Sequence, residues 1–198
     1  MRAGSWECFE FFRSNNFVGW PFLFFHYNRR DVLSQTDDGI ETLINTKDFA
    51  DVDILDFWRL NESGLFYKRE LTPTSHTNPP DAAAPRLIWQ FAESIFCLTR
   101  LYDGLFEDTE SITLTVTLYG TRGRSLVWPD IGFVYRNAYR ANRPQIKVTA
   151  THTLAEWRAG LEDYAVELSR EAFRHFQLEN PDEARIRTQI RNIFARRL

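Results

Sequence analysis

The stretch Ser111–Tyr119, SITLTVTLY, constrains this chain more than any other. Ile112, Leu114, Val116 and Leu118 alternate with Thr113, Thr115, Thr117 and Tyr119. A period of two sends successive side chains to opposite faces of a strand, and a helix cannot sort them that way. The β-branched residues, stiff at χ1, weaken a helix further. The segment predicts a half-buried strand with one apolar face and one threonine-lined face. The following Gly120–Arg124, GTRGR, contains two glycines and two arginines. A phosphate loop would continue into GK[ST] and a helix, and a nucleic-acid-clamping GxxG loop needs helices on both sides. Here the loop lies between strands, so the glycines supply positive φ in a hairpin turn. Ser125–Trp128 is then the expected partner strand, and Arg122 and Arg124 are expected exposed at the tip, available to an acidic partner.

The remaining elements are short and mixed. Trp6–Phe12 and Pro21–Tyr27 read as aromatic strands, with Arg29 and Arg30 following. The aromatics suit a core better than a base-stacking platform. Asp37–Thr46 reads as a short helix, capped by Asp37 or Asp38 with Glu41 near the third position. Asp53–Leu60 and Leu65–Leu71 flank the turn Asn61–Gly64 and predict a hairpin. Thr72–Pro85 has four prolines and reads as a loop. Arg86–Phe106 predicts an amphipathic helix with Gly104 near its end. Gln145–Ala150 predicts a strand, and Thr153-x-x-Glu156 a capping box opening one long helix whose buried stripe runs from Leu154 to Phe176. Asn180-Pro181-Asp182-Glu183 starts a last helix, with Ile186, Ile190, Ile193 and Phe194 on its apolar face. Hairpins mixed with helices, without βαβ units, argue for an α+β domain: an antiparallel sheet with two or three helices packed on it and an Arg-rich C-terminal helix. A length of 198 residues fits one domain over 1–198, with a sub-boundary in the 72–85 loop.

Composition narrows function. A net charge of −3 gives no global pull toward nucleic acid or an anionic membrane. No apolar run approaches the roughly 18 residues of a membrane span, and no secretory signal pattern opens the chain. Cys8 and Cys97 are no disulfide framework, and Cys97 reads as a buried thiol in a helix. These features favour a cytoplasmic location.

Signals for chemistry are weak. Asp51, Asp53 and Asp56 form the densest carboxylate cluster, but the loop lacks the glycine and distal glutamate of a calcium site. His26, His76, His152 and His175 are scattered without metal-ligand spacing. Ser63 has only the following Gly64 of a nucleophile elbow. No catalytic, cofactor or metal residue is assigned, and no cofactor is expected. Arg185, Arg187, Arg191, Arg196 and Arg197 make the last helix a candidate basic ridge, with Arg136, Arg140 and Arg143 a weaker cluster. Cations near a helix C-terminus are also favourable by themselves.

Taken in order, the hairpin FWRLNESGLFYKREL, the helix FAESIFCLTRLYDGLF, the strand and turn LTVTLYGTRGRSL and the helix THTLAEWRAGLEDYAVELSREAFRHF resemble the C-terminal region of bacterial Schlafen-like proteins, whose N-terminus carries an AlbA-type DNA- or ATP-binding domain. The matching positions are Ser63–Phe66, Leu118–Arg124 and Leu168–Phe176, and the resemblance spans Asp53–Gln177. No counterpart of the AlbA-like domain is visible, so the family's activity does not carry over. The resemblance implies an accessory module for sensing, docking or regulation, in bacterial transcriptional control or antiviral defence. The expectation is a non-catalytic subunit that joins a protein partner through Arg122, Arg124, Arg185, Arg187, Arg191, Arg196 and Arg197. Homo-oligomerisation is compatible with it. A nucleic-acid-binding accessory protein using the Arg-rich last helix is the alternative, and a small enzyme built on Asp51, Asp53 and Asp56 is the second.

Overall fold

The computed structural model describes residues 33–46, 54–70, 81–128 and 139–195. The expected strands Trp6–Phe12 and Pro21–Tyr27, the carboxylates Asp51 and Asp53, and Arg136, Arg196 and Arg197 lie outside the described residues. Two compact units divide the chain, Met1–Pro73 and Thr74–Leu198, and the division falls in the proline-rich stretch. The fold is α+β.

Unit 1 holds a four-stranded antiparallel sheet in sequential order: β1 (Leu33–Thr36), β2 (Gly39–Thr46), β3 (Ile54–Asn61) and β4 (Phe66–Glu70). The helix expected over Asp37–Thr46 is instead strand β2 of the β1–β2 hairpin. Its β-branched alternation, Ile40, Thr42, Ile44 and Thr46, outweighs the Asp-x-x-Glu capping signal. Asp38 serves the turn: it accepts from the Thr36 hydroxyl at 3.1 Å, and its carbonyl accepts from Glu62 N–H at 2.8 Å. Glu41 lies 3.6 Å from Arg59 across the sheet and caps nothing. The β3–β4 hairpin forms over the expected turn, with Gly64 at φ +83° and its N–H donating to Asn61 O. On one face Ile40, Trp58 and Leu60 are buried.

Unit 2 pairs an antiparallel ribbon with helices. Strand β6 (Ser111–Tyr119) runs in register along all nine residues of β8 (Gln145–Thr153). The expected partner Ser125–Trp128 does not pair with β6. Its core, β7 (Leu126–Val127), lies parallel to β5 (Ala82–Ala83). The alternation of β6 specified a face but not a neighbour, and β8 offers a longer alternating match, Ile146, Val148, Ala150 and His152 against Thr149, Thr151 and Thr153. Helix α1 (Ala84–Leu101) starts with a proline in its first turn and buries Ile88, Phe91, Ala92, Ile95 and Leu98. The capping box at Thr153 and Glu156 forms, but the expected single helix is two: α2 (Leu154–Ala159) and α3 (Leu161–Arg174). Gly160 breaks it, and a Cβ there would come within 2.6 Å of the Tyr164 ring. Helix α4 (Glu183–Ala195) begins two residues later than the proline signal suggests; Asp182 caps it by accepting from Arg185 N–H at 3.1 Å. Trp157, Phe173, Phe176, Ile186 and Ile190 are fully buried, each stabilising by roughly 2 kcal/mol. Trp157 Nε1 also donates to Ile112 O at 3.0 Å, tying α2 to β6.

Candidate docking surface

The opposite face of the unit 1 sheet turns unusual side chains to solvent. In antiparallel pairing, residues directly opposite one another share a face. Glu41, Arg59 and Tyr67 form one cross-strand row, and Leu43, Phe57 and Arg69 the next. Leu43 is 57% exposed and Tyr67 50%, while Phe57 is half-buried between them. The Phe57 and Tyr67 rings meet at 6.0 Å between centroids, tilted by 55°. Arg59 is committed to Asp38, Glu41 and the Asn61 amide. Its hydrogen bond holds the Asp38 carboxyl below the usual carboxylate range. Arg69 is exposed and makes no ion pair among the described residues. The result is an apolar, aromatic centre with the exposed Arg69 at its margin. Aromatic and arginine side chains of this kind are enriched at protein interfaces, where a ring supplies area and the Tyr hydroxyl a polar handle.

The arginines expected to meet a partner are placed differently. Arg187 binds Glu162 at 3.1 Å, Asp163 at 2.7 Å and Glu183 at 2.9 Å, and Arg191 binds Glu162 at 2.9 Å. These hydrogen bonds raise both arginine pKa values and lower that of Glu162. The guanidinium of Arg185 lies 4.1 Å over the Trp128 ring, which in turn meets Phe173 edge-on at 6.4 Å. The three side chains thus fasten α4 to its own unit. Arg122 is exposed, whereas Arg124 is half-buried and donates to Gly120 O at 2.7 Å.

The GTRGR loop has the positive φ of a turn, +66° at Gly120 and +79° at Gly123. Its backbone is stitched to the 139–144 segment: Thr121 N–H donates to Pro144 O, Gly123 N–H to Ala141 O, and Ala141 N–H to Arg124 O. Amides that would cradle a phosphate are spent on the chain itself. Of the carboxylate cluster only Asp56 falls on a described strand, β3. Among the described residues no group of three His, Cys, Asp or Glu side chains could hold a metal ion. His152 stacks on Tyr164 at 3.9 Å and meets Trp157 edge-on at 4.8 Å, a packing role. Cys97 is buried in α1. No helix among the described residues is long and apolar enough to cross a membrane.

Comparison with family models, curated proteins and solved structures finds no match to this chain. The Leu43–Phe57–Tyr67 surface therefore stands on geometry alone. It went unread in the sequence, although the alternation Phe57-Trp58-Arg59-Leu60 already separates its face from the buried one.

Proposed function

We propose that the protein is a non-catalytic binding subunit that docks a protein partner on the unit 1 sheet. The observation that carries the reading is the exposed Leu43–Phe57–Tyr67 cluster with Arg69 beside it. An apolar side chain of the partner would fill the shallow centre, and a carboxylate would meet Arg69. Sparsely committed apolar side chains gathered on one sheet face are the usual mark of such a site. The order of segments resembling the accessory region of Schlafen-like proteins supports a docking or regulatory role, and with it a bacterial regulatory or antiviral setting in the cytoplasm. Nucleic-acid binding through the last helix is less well supported, since Arg187 and Arg191 already serve acidic side chains of their own unit.

The test is gentle affinity purification from the native host of the wild type and of Tyr67→Glu, at low and high salt. Tyr67 is half exposed, so the substitution leaves the fold intact while placing a charge in the apolar centre. The reading expects one protein companion in fixed ratio, retained at high salt and lost from Tyr67→Glu. A companion kept equally by the variant overturns it. So does a nuclease-sensitive companion released steeply by salt, the signature of phosphate contacts.

A further inference from the structure

Among the described residues, nothing pairs with the outer edge of β6. Leu154 N–H donates to Glu110 O, one step beyond the ladder and in the same register as the Ser111↔Thr153 pair. Hydrogen-bonded pairs alternate along an antiparallel ladder. Even-numbered residues of β6 therefore bond to β8, and Ser111, Thr113, Thr115, Thr117 and Tyr119 turn their N–H and C=O groups outward. Among the described residues no backbone group meets them, and the ribbon has two strands only. The cross-strand threonine contacts fit this alternation: Thr113 and Thr151 hydroxyls lie 2.8 Å apart, and Thr115 and Thr149 hydroxyls 3.1 Å. Such close side chains belong to the non-hydrogen-bonded pairs.

The strand's own residues carry none of the usual guards. Ser111–Tyr119 contains no proline, no charge and no glycine. Natural edge strands are commonly blunted by one of these devices or by a bulge. The cover beneath is incomplete as well. On β8, Ile146 and Val148 are 1% exposed, whereas Ile112, Leu114, Val116 and Leu118 of β6 are all only half-buried. The apolar layer thus extends from β8 onto β6.

The sequence of the edge says what fits it. Read from either end about Thr115, it alternates apolar and threonine in the same order. An antiparallel copy centred there sets Thr115 against Thr115, Leu114 against Val116, Thr113 against Thr117 and Ile112 against Leu118. All nine residues of the strand pair, and each face meets its own kind. Charge agrees with this direction. Glu107 and Glu110 lead into β6 and are exposed, and Arg122, also exposed, follows it. Antiparallel pairing brings the acidic lead-in of one copy to the basic exit of the other.

We infer that two copies of this chain join edge to edge through β6, forming a continuous sheet β8–β6–β6–β8 across a two-fold axis at Thr115. The interface is isologous, as a self-complementary strand requires. It lies in unit 2 and the docking face in unit 1, and the inference does not rest on the docking reading.

Sedimentation velocity of the purified full chain over a micromolar concentration series tests it, with three variants. Thr115→Pro removes an outward N–H without touching the β6–β8 ladder. Thr115→Lys leaves the backbone alone and sets two cations against each other on the axis. Thr149→Pro makes the same backbone change on the outer edge of β8. The expected result is a species of twice 23.4 kDa for the wild type and Thr149→Pro, with dimer affinity reduced at least tenfold in both Thr115 variants. If Thr115→Pro does not fold, Thr115→Lys decides. A wild type that stays at 23.4 kDa throughout, or a dimer indifferent to Thr115→Lys, overturns the inference.

Discussion

The four-stranded sheet of unit 1 turns Leu43, Phe57 and Tyr67 outward, whereas the β6–β8 ribbon of unit 2 turns out threonines. Each sheet buries an apolar face: Ile40, Trp58 and Leu60 in the first, Ile146 and Val148 in the second. They differ in where unsatisfied surface remains. In unit 1 it lies on a face, as apolar area beside Arg69. In unit 2 the exposed face has hydroxyls paired across the strands, and what remains among the described residues is a row of backbone groups along one edge of β6. A face of rings selects a partner by the shape and chemistry of its side chains. An edge selects by backbone pairing and needs only a strand of matching alternation. The two proposals thus assign the sheets different contacts, the face to a different protein and the edge to a second copy.

The largest expected effect separates the two sheets by stability. Trp157 is fully buried and anchors α2 to β6 through Ile112 O. Trp157→Ala is expected to cost about 3–5 kcal/mol, read as a lowered urea midpoint, and to weaken the dimer because the ribbon loses its support. Trp157→Phe should restore much of the packing but not the hydrogen bond. Next comes Gly39→Ala, which acts on the other sheet. A Cβ at Gly39 would sit 2.1 Å from Leu60 O and 2.9 Å from Asn61 Cα, so β2 and β3 must part. About 1–3 kcal/mol should be lost, with companion binding reduced while the β6 dimer persists. Loss of both contacts together would erase the distinction between face and edge.

The smallest effect concerns the last helix. Arg191 and Arg187 hold the Glu162 carboxyl below its usual range. A depressed folded pKa contributes stability above the unfolded value and loses it as pH falls through the folded one. Glu162→Gln should therefore cost up to about 1 kcal/mol at neutral pH, the exposure of Arg191 limiting the gain. Wild type and variant should converge under acid, checked by urea midpoints across the carboxylate range. Dimer and companion should be unaffected by it.

Periodicity made much of this fold legible. The alternation of β6, the β3–β4 turn with Gly64, the capping box at Thr153 and the stripe of α1 all stand where residue chemistry places them. Partnership was not legible. A strand's own pattern does not name its neighbour, so the sequence suggests the nearest segment, Ser125–Trp128, for β6, whereas the more distant β8 pairs with it. The β1–β2 hairpin is hidden in the sequence because Asp38 and Glu41 satisfy a helix-cap spacing that the turn and Arg59 use differently. The arginines of α4 were visible as charge, but not the carboxylates Glu162 and Asp163 that answer them from α3. The docking face needed three strands in register before Leu43, Phe57 and Tyr67 could be seen as one surface.

Native mass spectrometry of the tagged protein, purified gently from its own host, tests the central claim most directly. A binding subunit predicts a heteromeric mass: a protein companion together with two chains of 23.4 kDa. A bare mass of 23.4 kDa or a simple multiple of it, with no companion, would contradict the docking role.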